Sequence, residues 1–109
     1  MKQLIDDCLS LFWEFGHKLG IAVSLEALAN LSLVHGDSTD VVMLYAAAHN
    51  LRQALGAPLP PIDRTVYDSA VATTRTQLGD AVFTELWARY KDRPYKEVGE
   101  EILKAGDTS

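Results

Sequence analysis

Small residues set at helical spacing between two glycines constrain this chain more than any other feature. The stretch runs from Gly20 to Gly56, GIAVSLEALANLSLVHGDSTDVVMLYAAAHNLRQALG. Leu25, Leu28, Ala29 and Ser32 recur at three- and four-residue intervals and form one stripe. Ala22, Ala27 and Ala29 favour helix and take little room. A helix is therefore predicted from about His17 to Val34. Gly36 stands just past its last turn, where a left-handed residue ties off the final carbonyls. Asp37 follows as an N-cap with Asp40 three residues on, and both acids suit the positive end of the next helix dipole. That helix carries Val41, Leu44, Tyr45, Ala48, Leu51 and Leu55 at helical spacing, and Gly56 stops it. So short a turn makes the two helices antiparallel neighbours. Ala46, Ala47 and Ala48 admit a close neighbour, and both faces of the pair need cover from other helices.

The flanking segments keep the same period. Leu4 to Phe15 is a first helix with Leu4, Cys8, Leu11, Phe12 and Phe15 as its apolar stripe, and Gly16 and Gly20 bracket the turn that follows. The prolines of GAPLPPI stiffen a corner, and Pro61 suits the first position of a helix. A polyproline ligand is the alternative there, but the segment is short and sits between periodic helices. Pro61 to Gln77 follows, with Val66, Ala70, Val71, Thr74 and Leu78 on one side and Arg64 and Asp68 as an i,i+4 pair. Gly79 ends it. DAVFTELWARYK then presents Val82, Phe83, Leu86, Trp87 and Tyr90 as an aromatic stripe. A last helix begins near Pro94, with Tyr95, Val98, Ile102 and Leu103 inward. Nowhere does the period change to two, so the fold class is all-α, about five helices in antiparallel succession.

Several function classes fall away. The chain has 109 residues, room for one domain, and a net charge of -5, which opposes a general grip on nucleic acid. The single cysteine, Cys8, excludes an internal disulfide and fits a reducing compartment; it reads best as a small buried apolar residue. No apolar run approaches the ~20 residues that span a bilayer, and no secretory leader is recognisable. The expected location is cytoplasmic. His17, His35 and His49 share no helical turn, so no metal site is predicted. Asp6 with Asp7, and Glu100 with Glu101, are adjacent carboxylates that diverge by about 100° on a helix. No phosphate-binding glycine motif is present. Catalytic, cofactor-binding and metal residues are all expected to be absent, and the chain is not expected to be an enzyme.

The Gly20–Gly56 hairpin resembles a tetratricopeptide repeat. Leu25, Leu28, Ala29, Gly36, Tyr45 and Ala48 fall in the motif's order. Leu25 stands where tryptophan is usual, Ser32 where tyrosine is, Val41 where alanine is, and Gln53 where the closing proline is. The run from Leu51 to Tyr90 is similar to the C-terminal tail of bacterial LuxR-type, MalT-like ATPase regulators of the STAND type. There a last repeat is followed by an L-G-x-P-L-P-P loop and capping helices. Leu55, Gly56, Pro58, Leu59, Pro60 and Pro61 match the loop, and Leu78, Gly79, Phe83 and Trp87 the next helix. The resemblance implies a fragment of a right-handed tetratricopeptide-like superhelix. Its parts would be a half repeat over 4–16, a helical hairpin over 17–56, a proline-rich corner over 57–61 and capping helices over 62–105. Neither the ATPase module nor the DNA-binding helix-turn-helix of such regulators is recognisable in this chain.

Two functions compete on these terms. One is a non-catalytic scaffold or sensor module that binds a protein partner, the remainder of a larger regulator, or a second copy through the N-terminal helix. Its expected contact residues are Leu11, Phe12, Trp13 and Phe15, because a repeat helix without its neighbour bares an apolar face. Trp13 and Trp87 each read first as core residues. The other function is a small helical ligand-binding or catalytic domain with a pocket between helices lined by Tyr45, His49 and Tyr67. A closed apolar core at those three residues would exclude it.

Overall fold

A computed structural model describes residues 2–94 and 96–101. Within them the chain is all-helical: α1 (Lys2–Glu14), α2 (Lys18–Val34), α3 (Ser38–Leu55), α4 (Pro61–Leu78) and α5 (Asp80–Lys91), then α6 over residues 96–101. Tyr95 and residues 102–105 of the expected last helix lie outside the described residues.

The long middle helix, α3, is the axis of the molecule. Leu44, Tyr45, Ala46, Ala47 and Ala48 are all buried, more than a full turn without an exposed position. A helix buried all round must have neighbours on several sides, and α3 packs against α2, α4 and α5. The three alanines are wholly inaccessible, which is what lets those neighbours approach. Its ends are tied by side chains as well. Ser38 Oγ lies 2.5 Å from Gln77 Oε1 at the end of α4, and Asn50 Nδ2 donates to the Arg93 carbonyl beyond α5 at 3.1 Å.

The turns are made where expected. Gly36 adopts φ 80° and Gly56 φ 65° with ψ 29°, the left-handed region in which a side chain would be strained. The Ala57 N–H closes back on the Arg52 carbonyl at 3.0 Å, launching the proline corner. Pro61 takes the first turn of α4. His17, rather than serine, threonine or an acid, caps α2: its Nδ1 accepts from the Gly20 N–H at 2.9 Å.

The inward faces of α1 and α4 and the place of Gly20 differ from the expected ones, and Val82, part of the expected α5 stripe, is exposed. In α1 the core residue is Leu9, wholly buried, with Ile5, Phe12 and Trp13 packed against the core, while Leu4, Cys8, Leu11 and Phe15 are exposed. Cys8 is therefore a surface thiol and not the buried apolar residue expected. In α4 Tyr67 takes the inward place assigned to Val66, which is exposed, beside Ala70 and Thr74 as expected. Gly20 is buried inside α2 and does not belong to a turn.

Candidate functional site

The sequence singled out two regions, the first helix and the level of Tyr45, His49 and Tyr67, and they lie apart in the fold. The first is α1. Its apolar residues fall on two faces, because Leu4, Cys8, Leu11 and Phe15 repeat at one helical phase and Ile5, Leu9 and Phe12 at another. Close approach to glycine selects the second phase for the core. A Cβ on Gly20 would lie 2.4 Å from Phe12 Cδ1, and one on Gly99 of α6 would lie 2.2 Å from Trp13 Cζ3. The Phe12 ring also rests 5.2 Å from that of His17.

The four expected contact residues are thus divided. Phe12 and Trp13 are partly buried against the core, Phe12 beside Gly20 of α2 and Trp13 beside Gly99 of α6. Leu11 and Phe15 are exposed, 54% and 79%, and continue a line with Leu4 and Cys8 along the outside of α1. Nothing in the spacing alone ranks one phase above the other; the paired glycines, Gly20 and Gly99, were the signal.

The second surface is a cleft of about 360 Å³ over α3, between α2, α4 and the proline corner. Tyr45, His49 and Tyr67 all line it, as the pocket reading required. Helix spacing places Tyr45 and His49 one turn apart on α3, and the chain reversal through Pro58–Pro61 returns Tyr67 above them. The Tyr45 and Tyr67 rings meet edge to face, centroids 5.0 Å apart, and the His49 ring lies 5.9 Å from that of Trp87. Tyr45 donates its hydroxyl proton to Asn30 Oδ1. Burial first, and then the charge of Glu26 and the neighbouring Tyr67, push the Tyr45 phenol up to about 12. Burial also raises the Tyr67 phenol, against the lowering charge of Arg64. Both rings therefore stay neutral at physiological pH.

The cleft holds residues that sequence reasoning missed. Arg52, 7% exposed, sends Nε to Glu26 Oε2 at 2.6 Å and Nη2 to Glu26 Oε1 at 2.9 Å, a bidentate pair. Its Nη1 donates to the Ala57 carbonyl at 3.2 Å. One guanidinium thus joins α2, the end of α3 and the corner. Hydrogen bonding to Glu26 raises the Arg52 pKa, with burial opposing and Glu26 and Asp63 adding favourable charge. Glu26 and Arg52 are twenty-six positions apart, so no local spacing announces the pair. Arg64 also lines the cleft, and among the described residues it makes no ion pair with Asp68, contrary to the i,i+4 expectation. A second hollow of about 250 Å³ shares Tyr45, Arg52, Leu59 and Tyr67 and adds Asp63.

Elsewhere the chemistry is sparse. His17 and His35 cap the two ends of α2, far along the helix from each other. Among the described residues no group of three or more histidine, cysteine or acidic side chains is placed to hold a metal ion. No helix among them is long and apolar enough to cross a membrane. No protein-family model, curated protein or solved structure matches the chain.

Proposed function

We propose that the chain is a non-catalytic protein–protein interaction module, the scaffold or sensor part of a bacterial signalling or transcriptional regulator acting in the cytoplasm. Its architecture on this reading is the end of a tetratricopeptide-like superhelix, with α2 and α3 as the last repeat and α4 to α6 as the cap. The observation that carries the reading is the outer line of α1, where Leu4, Cys8, Leu11 and Phe15 stand exposed in register. A continuous apolar line on one helix marks a contact surface, whereas scattered exposed leucines would not.

The partner that best fits this line is a second copy. Its four-three-four spacing reads the same from either end. An antiparallel copy related by a two-fold axis would set Leu4 against Phe15 and Cys8 against Leu11. Asp7 and Glu14, both exposed, flank the line on one side, and Asp7 of each copy would lie near Glu14 of the other. Repulsion there weakens the pairing at low salt and is screened as salt rises. Sedimentation velocity across a concentration series tests this. The wild type is expected to associate, more strongly at high salt, and a Leu11→Glu, Phe15→Glu variant to stay monomeric with unchanged helix content. A wild type that remains monomeric throughout, like the variant, would refute pairing through α1.

A further inference from the structure

The cleft over α3 lies apart from the α1 line and calls for its own explanation. Its volume, about 360 Å³, falls within the ~300–1,000 Å³ of small-molecule sites. Its walls are flat. Tyr67 stands edge-on to Tyr45 on one side, and Pro58 and Leu59 of the corner form the other. Proline and a T-shaped tyrosine pair hold their shape with little conformational freedom, so the slot exists before anything enters it.

The charge of the slot is opposite to that of the chain. Glu26 is the one carboxylate among its described lining residues, and both its oxygens are held by Arg52. Arg52 itself uses three of its N–H groups on Glu26 and Ala57, and a guanidinium carries five. Arg64 adds a further cation that makes no ion pair among the described residues. Within the lining itself Arg52 and Arg64 stand against Glu26 alone, although the chain's net charge is -5; Asp63 lies in the adjoining hollow and Asp68 acts on Tyr67. An aromatic slot of this sign suits a flat ring system bearing one negative group. A cation would meet Arg64, and a dianion would compete with Glu26 for Arg52 at the cost of a buried pair.

We propose that this cleft is a binding site for a planar aromatic monocarboxylate, its ring between Tyr67 and the Pro58–Leu59 wall and its carboxylate on Arg64. The site goes beyond pairing through α1 and does not depend on it. Protein-observed NMR titration with naphthoate tests it, with naphthylmethylammonium and cyclohexanecarboxylate as the cationic and the non-planar probes. Naphthoate is expected to shift the amides of Gly56, Ala57, Leu59 and Tyr67 saturably. It should bind at least tenfold tighter than either comparison probe. Arg64→Gln, a change at an exposed position that leaves the fold intact, is expected to weaken naphthoate by about tenfold while the α1 amides stay still. Absence of saturation, equal affinity for the cationic probe, or wild-type affinity in Arg64→Gln would each overturn the assignment.

Discussion

Removing either partner of the Glu26–Arg52 pair tests how the cleft is held together. The side chains are 14% and 8% exposed, and two charge-assisted hydrogen bonds of 2.6 and 2.9 Å join them. Replacing Glu26 with Leu leaves a guanidinium in a site almost closed to water. Orphaning one member of such a pair costs about 3–5 kcal/mol. Arg52 keeps the Ala57 carbonyl and the distant charge of Asp63, and the mouth of the cleft admits some solvent, which places the expected cost near 3 kcal/mol. Arg52→Met strands the carboxylate and the Ala57 carbonyl together and is expected to cost about as much. The double variant removes both charges and fills the space with apolar atoms, so it should lie within about 1 kcal/mol of wild type. Urea unfolding followed by far-UV circular dichroism measures all four corners of this cycle. Each single change should lower the Tm by roughly 12–24 °C, at about 4–8 °C per kcal/mol for a domain of this size. Single variants that lose less than ~1 kcal/mol, or a double variant that loses the sum, would refute the claim that the pair acts as a buried unit.

Two further perturbations separate packing from electrostatics. Gly20→Ala should gain about 1 kcal/mol of helix propensity if the position were open, but its Cβ would fall 2.4 Å from the Phe12 ring. Overpacking of about 1–3 kcal/mol outweighs the gain, so the variant is expected to be less stable than wild type by urea unfolding. A gain in stability would show that Phe12 does not occupy that place. The Tyr45 phenol, moved from its ordinary 10.0 to about 12, makes the folded state hold a proton that the unfolded state releases earlier. That contribution is complete below pH 10 and is lost as pH rises toward 12. Ultraviolet titration should therefore show one tyrosine ionising near 12, with stability falling through the same range. Ionisation of all four tyrosines near 10 would contradict it.

The helices and their limits were legible before any coordinates because they rest on local physics. Gly36 and Gly56 end α2 and α3, Pro61 opens α4, and Asp80 to Lys91 forms α5 over the expected residues. Each signal is read within a few positions of the chain: a periodic apolar stripe, a glycine able to turn left-handed, a proline with no N–H to lose. The burial of Ala46, Ala47 and Ala48 followed from the same reasoning, since only small side chains suit a helix with neighbours on several sides. Tyr45, His49 and Tyr67 could be grouped because helix spacing and one chain reversal bring them to the same level.

The phase of α1 and the wiring of the cleft were decided only by tertiary structure. Two apolar lines run along α1, and period alone weights them equally. Leu9 lies in the core and Cys8 outside because Phe12 and Trp13 find the missing side chains of Gly20 and Gly99, the latter more than eighty positions away. Arg52 meets Glu26 across a hairpin, and Arg64 lines the cleft without Asp68 for a partner, because burial and the corner at Pro58–Pro61 set distances that no spacing rule contains. Local backbone preference determines where a helix begins and ends. Which of its faces is inside depends on shape and charge supplied by distant segments, and these meet only after the chain has folded.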